Sequence, residues 1–110
     1  MPLDLDVELE WFRGLSSQER ASFLARLSHN LTIAMRCFCH PAADPQNLEC
    51  ARLVNEAHHQ VAGYLTYCLA GTEDIGWAQP VLSRIFHAEN RLVGHQLEQA
   101  WDFSRKRPGA

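Results

Sequence analysis

Long apolar runs and glycine-rich phosphate loops are both absent from this sequence. Its apolar stretches are far shorter than the roughly 18 residues of a membrane-spanning helix, and the Met-Pro-Leu-Asp start lacks the basic segment that opens a signal peptide. Without a glycine-rich nucleotide-binding segment the chain cannot be a kinase by itself. We therefore expect a cytoplasmic protein that does not enter a membrane, with its four cysteines as thiols.

Positive charge is also too sparse for a dedicated nucleic-acid binder. The chain has 10 Lys and Arg against 13 Asp and Glu, a formal net charge of -3, whereas such binders usually carry a basic stripe. Acidic residues gather between Asp4 and Glu10, and residues 105–110 form a short basic tail. Both ends are interpreted as solvated, with the cations suited to the end of a final helix. A contact of the tail with an acidic partner or nucleic acid stays open.

The composition that remains is that of one globular domain covering residues 1–110. Hydrophobic residues make up 46% and charged residues 21%, both ordinary values. A chain of 110 residues can bury roughly two thirds of the surface of its unfolded form, so its core requires no disulfide or metal.

Helical signals dominate the first half of the chain. Alternating apolar residues near the N-terminus fit a strand, but no second strand is present to pair with it, so a short helix is predicted from Asp6 to Gly14. Ser16 and Glu19 have the spacing of a capping box. The second helix is predicted to begin at Ser17 and to end near Cys39.

The second half is predicted to contain two more long helices. Asp44 and Pro45 suit the cap and first position of a third helix that runs to about Ala70, with Gly71 in the left-handed position after it. Pro80 opens a last helix that ends near Ser104. We therefore predict an all-α antiparallel bundle of three long helices and a short N-terminal one.

A wide apolar stripe on the last helix leaves room for a homodimer, in which two helices of each chain complete a four-helix bundle. Exposed apolar surface at Trp11, Trp77 or Trp101 is the expected sign of an interaction surface. Self or another protein is therefore the expected partner.

Five polar residues are predicted to form one cluster between the second and third helices. In an antiparallel pair, residues about twelve positions before and after the loop lie at one level. His29 and Asn30 meet this condition on one side, and Asn55, Glu56 and His59 on the other. Such a cluster would hold the helix register through hydrogen bonds or line a polar pocket.

Metal binding is an alternative that the spacing supports only in part. Glu56 and His59 form the Glu-x-x-His of di-iron bundles, which need that motif on two helices. Cys37, Cys39, His40 and Cys50 are of the right type for zinc but lack its usual spacing. We predict no metal, no cofactor and no catalytic residue, with Cys37, Cys50 and Cys68 as small buried hydrophobes.

Two segments resemble the phospho-acceptor helices of bacterial sensor histidine kinases. Residues 23–31, Phe-Leu-Ala-Arg-Leu-Ser-His-Asn-Leu, are similar to one subclass, with Asn30 where that subclass has an acid. Residues 53–61, Leu-Val-Asn-Glu-Ala-His-His-Gln-Val, are similar to another, with Gln60 in place of its Arg. The resemblance implies a phosphate relay in which Glu56 orients His59, or in which His29 is the acceptor.

A longer stretch resembles small all-helical bacterial proteins of unassigned function. His-Asn-Leu-Thr-Ile-Ala-x-Arg at 29–36 and Asn-Glu-x-x-His at 55–59 carry this resemblance, which implies a bacterial origin and no particular activity. Our main hypothesis is a non-catalytic protein-interaction or regulatory module that is homodimeric. The alternatives are a phosphate-relay or small-ligand bundle, and a metal-binding bundle.

Overall fold

The computed structural model describes residues 4–39 and 45–105, and for Leu5, Cys39 and Trp77 it describes only the backbone. All regular structure in these ranges is helical, which confirms the all-α part of the predicted fold class. A 3₁₀ turn, Ile75–Trp77, precedes the fourth helix. The α-helices are α1 (Leu5–Arg13), α2 (Ser17–Cys39), α3 (Pro45–Leu69), α4 (Ala78–Phe86) and α5 (Arg91–Arg105). Among the described residues no helix combines the length and apolarity that crossing a bilayer requires.

Local hydrogen bonds start and stop these helices where the sequence indicates. Glu19 N donates to Ser16 Oγ at 3.1 Å and Ser16 N to Glu19 Oε1 at 3.0 Å, which confirms the capping box before α2. After α3, Gly71 has a φ of 73°, which glycine adopts at little cost. Thr72 N donates to Tyr67 O at 3.0 Å across this turn, a Schellman closure that confirms the predicted helix end.

The predicted last helix is wrong, because the chain breaks it into α4 and α5. Asn90 causes the break: its Oδ1 accepts from Leu92 N at 3.0 Å and from Val93 N at 3.2 Å. An asparagine side chain that bonds to the backbone in this way starts a new helix rather than continuing the old one. The chain therefore has two short helices here, and the loop expected at 40–44 and the tail from 106 lie outside the described residues.

The longest helices, α2 and α3, form an antiparallel hairpin. Ser28 of α2 bonds to His58 of α3, while Ser17 near the start of α2 bonds to Glu73 just beyond α3. The two helices therefore run in opposite directions. The remaining helices pack on this hairpin, and α5 makes its main contact with α2.

Trp101 of α5 lies at the centre of an aromatic core. Its side chain is 1% exposed, and its ring centroid is 4.8 Å from that of Phe23 and 5.4 Å from that of Phe86. Phe12 of α1 packs at 6.1 Å. Edge-to-face pairs of this kind add about 0.5–1.5 kcal/mol each beyond the burial of apolar area. Four helices therefore share one aromatic cluster.

A partly buried ion pair joins the ends of three helices. Arg20 Nη2 lies 2.6 Å from Glu73 Oε1, with the two side chains 12% and 7% exposed. Arg20 Nη1 donates to three main-chain carbonyls at the end of α1 and in the turn after it, those of Phe12, Arg13 and Leu15. Arg20 therefore satisfies carbonyls that the helix end leaves open while it neutralises Glu73.

Glu73 also accepts two further hydrogen bonds, from Ser17 Oγ at 2.6 Å and from Cys68 Sγ at 2.7 Å. The bond from Arg20 is the main reason that the pKa of Glu73 falls to about 2. Burial, and then the bond to Glu73, raise the pKa of the Cys68 thiol to about 12. Cys68 is therefore held as a protonated, unreactive thiol.

We expect Glu73→Gln to lower the free energy of unfolding by about 3 kcal/mol at neutral pH, because it leaves the Arg20 charge without its partner. The folded pKa of Glu73 lies below its ordinary value, so its contribution is complete above about pH 4.5 and disappears as the pH falls towards 2. Urea unfolding at a series of pH values measures this. Glu10→Gln on the exposed face of α1 is the control; equal losses in the two variants would contradict the assignment.

Candidate functional site

The break between α4 and α5 opens a groove against α3. Its volume is about 710 Å³, within the range of about 300–1,000 Å³ that is typical of binding sites. Leu53 of α3 forms its apolar floor, above Val93 and Leu97 of α5, which are only 2% and 1% exposed. Pro80 and Ser83 of α4 and Ala88 of the break complete its walls. We call this the α3–α4 groove.

Four charged side chains along one side of the groove are already paired with one another. Arg52 of α3 bonds to Glu49 and to Glu56 on the same helix. Arg84 of α4 reaches across to Glu56 with Nη1 2.9 Å from Oε2. The bond from Arg52 lowers the pKa of Glu49. These pairs are exposed, so each stabilises the fold little, but together they give the rim alternating charge.

A buried polar atom in the groove has no hydrogen-bond partner among the described residues. The Gln60 side-chain carbonyl Oε1 is buried and accepts no hydrogen bond among the described residues. Gln60 lines both the groove and an adjoining cavity of about 240 Å³ that Tyr64 and Tyr67 also line. A buried acceptor left unpaired costs about 1–3 kcal/mol, so a ligand that donates a hydrogen bond to Gln60 would gain affinity.

The five residues expected to form one polar cluster are divided among several surfaces. Asn30 donates to Ser104 Oγ of α5 at 2.9 Å, and Glu56 faces Arg84 of α4. His29 and His59 are exposed, and Asn55 is half-buried. Asn30 and Glu56 therefore face different helices, α5 and α4, which corrects the expected convergence of the five residues on one cluster. Since Glu56 is held by two arginines, it does not orient His59 as a phosphate relay requires.

Ser28 and His58 make the contact that the cluster was expected to make. Ser28 Oγ lies 3.0 Å from His58 Nε2, a distance at which a histidine can activate a nucleophile. Both residues lie inside helices, however, where main-chain N–H groups are already bonded to carbonyls and cannot hold an oxyanion. The pair therefore holds the register of the hairpin.

Of the two tryptophans whose side chains the structure describes, neither is fully exposed. Trp101 is buried, because Phe12, Phe23 and Phe86 surround it, and this corrects the expectation for that residue. Trp11 is half-buried against Phe23 and Trp101. The side chain of Trp77 lies outside the described residues.

The cysteines also differ in exposure. Cys50 and Cys68 are buried as expected, whereas Cys37 is exposed, since it lies on the outer face of α2. The side chain of Cys39 and all of His40 lie outside the described residues. Within the described ranges no three metal-ligating side chains converge.

Sequence reasoning missed both the groove and the Ser28–His58 pair. A signal existed for each: Asn90 is a good N-cap residue placed ahead of Leu92 and Val93, and His58 falls on the apolar stripe of α3, where a buried imidazole requires a partner. Scans against protein-family models, curated proteins and solved structures find no match to this chain.

We expect His58 to make the fold sensitive to acid. Burial, and then the nearby His59, lower its pKa, so stability is constant above the ordinary value of about 6.5 and declines as the pH falls through it. His58→Gln should reduce the difference in urea midpoint between pH 7.5 and 5.5, buffers chosen about one unit either side of that value. The exposed His95→Gln is the control, and an undiminished difference in His58→Gln would exclude His58 as the cause.

Proposed function

We propose that this chain is a protein-interaction module that receives an amphipathic helix of a partner protein in the α3–α4 groove. The observation that carries the proposal is the pairing of accessible apolar side chains, at Leu53, Pro80 and Ala88, with a rim of alternating charge. Protein interfaces combine an apolar centre with a polar rim in this way, and a groove between two helices suits an amphipathic helix.

The groove indicates the chemistry of the partner. Apolar side chains at helical spacing would cover the floor, and a donor would satisfy Gln60 Oε1. Glu49, Arg52, Glu56 and Arg84 are already paired, whereas Glu89 in the lining has no ion pair among the described residues, so a basic residue of the partner would gain most beside Glu89. We expect a segment with mixed polar residues beside its apolar stripe.

Two experiments test the proposal: crosslinking identifies the partner segment, and a substitution that fills the groove should block its binding. A photo-crosslinking residue at Arg84, in cells that express the chain, should capture a partner through a segment that is amphipathic as a helix. A synthetic peptide of that segment should bind the full chain. Ser83→Trp should weaken this binding by about tenfold or more, because an indole occupies the space of a central contact. Fluorescence anisotropy measures the affinity.

Gln99→Trp, on the exposed side of α5, is the matched control and should bind the peptide like the native chain. An affinity unaffected by Ser83→Trp would refute the groove as the site. So would crosslinks that map to a segment without an apolar stripe. A crosslink to a small molecule instead of a protein would favour a small-ligand site.

Self-association is the second candidate interaction, and the outer side of α5 favours it. Leu92 is 63% exposed and Phe103 60% exposed, and their spacing places both on one flank of the helix. Large exposed apolar side chains that share a face are typical of an interaction surface. A second copy of the chain would cover this flank in a symmetric dimer.

For the dimer, we expect sedimentation velocity over a wide concentration range to show a monomer–dimer equilibrium. Leu92→Glu should shift it to monomer, because the carboxylate would be buried at the contact. Gln18→Glu, at an exposed position of α2, adds the same charge away from this flank without removing an apolar group. A native chain that stays monomeric throughout, or equal effects of both substitutions, would exclude this surface.

A further inference from the structure

A second, smaller cavity lies where α1 and the start of α2 meet the end of α5. It measures about 200 Å³, and none of its lining residues belongs to the α3–α4 groove. Trp11 and Phe23 form its apolar side. Its polar side is formed by two arginines from different helices, Arg26 and Arg105, together with Ser22. We call this the arginine cavity.

Arg26 is a half-buried cation without a carboxylate partner in residues 4–39 and 45–105. Its Nε donates to the main-chain oxygen of Ser104 at 2.9 Å and its Nη1 to Ser22 Oγ at 2.9 Å. Both contacts are neutral acceptors, so they orient the guanidinium without cancelling its charge. Its Nη2 atom donates to no acceptor among the described residues. A half-buried charge that is held in place but left uncompensated favours an anion.

Arg105 is held just as firmly by different contacts. Its Nη1 lies 2.8 Å and 2.6 Å from the two carboxylate oxygens of Glu8, whose side chain is 5% exposed. Its guanidinium carbon stands 4.6 Å from the ring centroid of Trp11, a stacking contact that fixes its plane. The Nε and Nη2 donors are not used by Glu8.

The one acidic residue in the lining is already engaged. Glu19 Oε1 accepts from Ser16 N at 3.0 Å in the capping box. Glu8 lies behind Arg105 and is not part of the lining. Because the Ser16 N donor is neutral, it orients Glu19 without cancelling its charge, and the lining presents two guanidinium groups and one carboxylate.

From this arrangement we propose that the arginine cavity binds a phosphate group, either as a free phosphate or as a phosphorylated side chain. A planar carboxylate is satisfied by one guanidinium fork, whereas a phosphate has enough oxygens to accept from two forks and from Ser22 at once. Pre-oriented guanidinium groups bind with little further loss of side-chain entropy. Trp11 shields one side of the site from water, which strengthens the charge contacts.

The test is a titration of the full, ¹⁵N-labelled chain at low ionic strength with sodium phosphate, with matched sodium chloride as the blank. The indole N–H of Trp11 and the Nε–H of Arg26 and Arg105 should shift saturably, as one site. Arg26→Gln should weaken the affinity by about tenfold or more, and Arg36→Gln, an exposed position on the same helix, should leave it unchanged. If Arg26→Gln unfolds, Arg26→Lys keeps the charge without the fork and should still bind more weakly than the native chain.

Two further arms define the ligand. Tighter binding of a phosphoserine peptide than of inorganic phosphate assigns the site to a phosphorylated protein, and the reverse order assigns it to a free phosphate. Three results would overturn the proposal: shifts that are linear and equal in the chloride blank, acetate binding as tight as that of phosphate, or an Arg26→Gln chain that binds like the native one.

Discussion

The Arg20–Glu73 ion pair is the constraint on which the arrangement of the helices depends. Glu73 lies in the connector after α3, a segment without regular structure of its own, yet it is tied to the start of α2. The same arginine holds the last carbonyls of α1. Burying such a pair is costly, and the hydrogen bonds from Ser17 and Cys68 offset part of that cost. Three helix ends are thereby fixed at one point.

Both candidate sites follow from how the other helices meet this framework. The 3₁₀ turn and α4 begin directly after Glu73, and Asn90 then redirects the chain into α5. The redirection separates α4 from α5 beside α3, which opens the groove. It also brings Trp101 into the aromatic core and Arg105 to Glu8 of α1, where the arginine cavity forms. A single uninterrupted last helix would not place its two ends in this way.

The sequence predicts those features that depend on neighbouring residues. The capping box at Ser16 and Glu19 and the left-handed Gly71 are short-range patterns, and both were read correctly. The helix-start signal at Asn90 is equally local, but the apolar stripe continues on both sides of it and favours one uninterrupted helix. The Arg20–Glu73 and Arg105–Glu8 pairs join distant segments, so no spacing rule reveals them. For the polar cluster, the distance of a residue from the loop gives its position along the helix axis. The direction of its side chain, in contrast, depends on where α1, α4 and α5 pack on the α2–α3 hairpin.

The two sites are expected to select ligands by different forces. In the groove Glu49, Arg52, Glu56 and Arg84 are already paired, so we expect affinity to come mainly from apolar burial and from Gln60, with a small dependence on salt from Glu89. In the arginine cavity Arg26 lacks a counter-charge within the described ranges, so affinity should fall as ionic strength rises. One small core thus supports both proposed sites, the groove for an apolar partner and the arginine cavity for an anion. The partly buried Arg20–Glu73 pair positions the helices that form both sites.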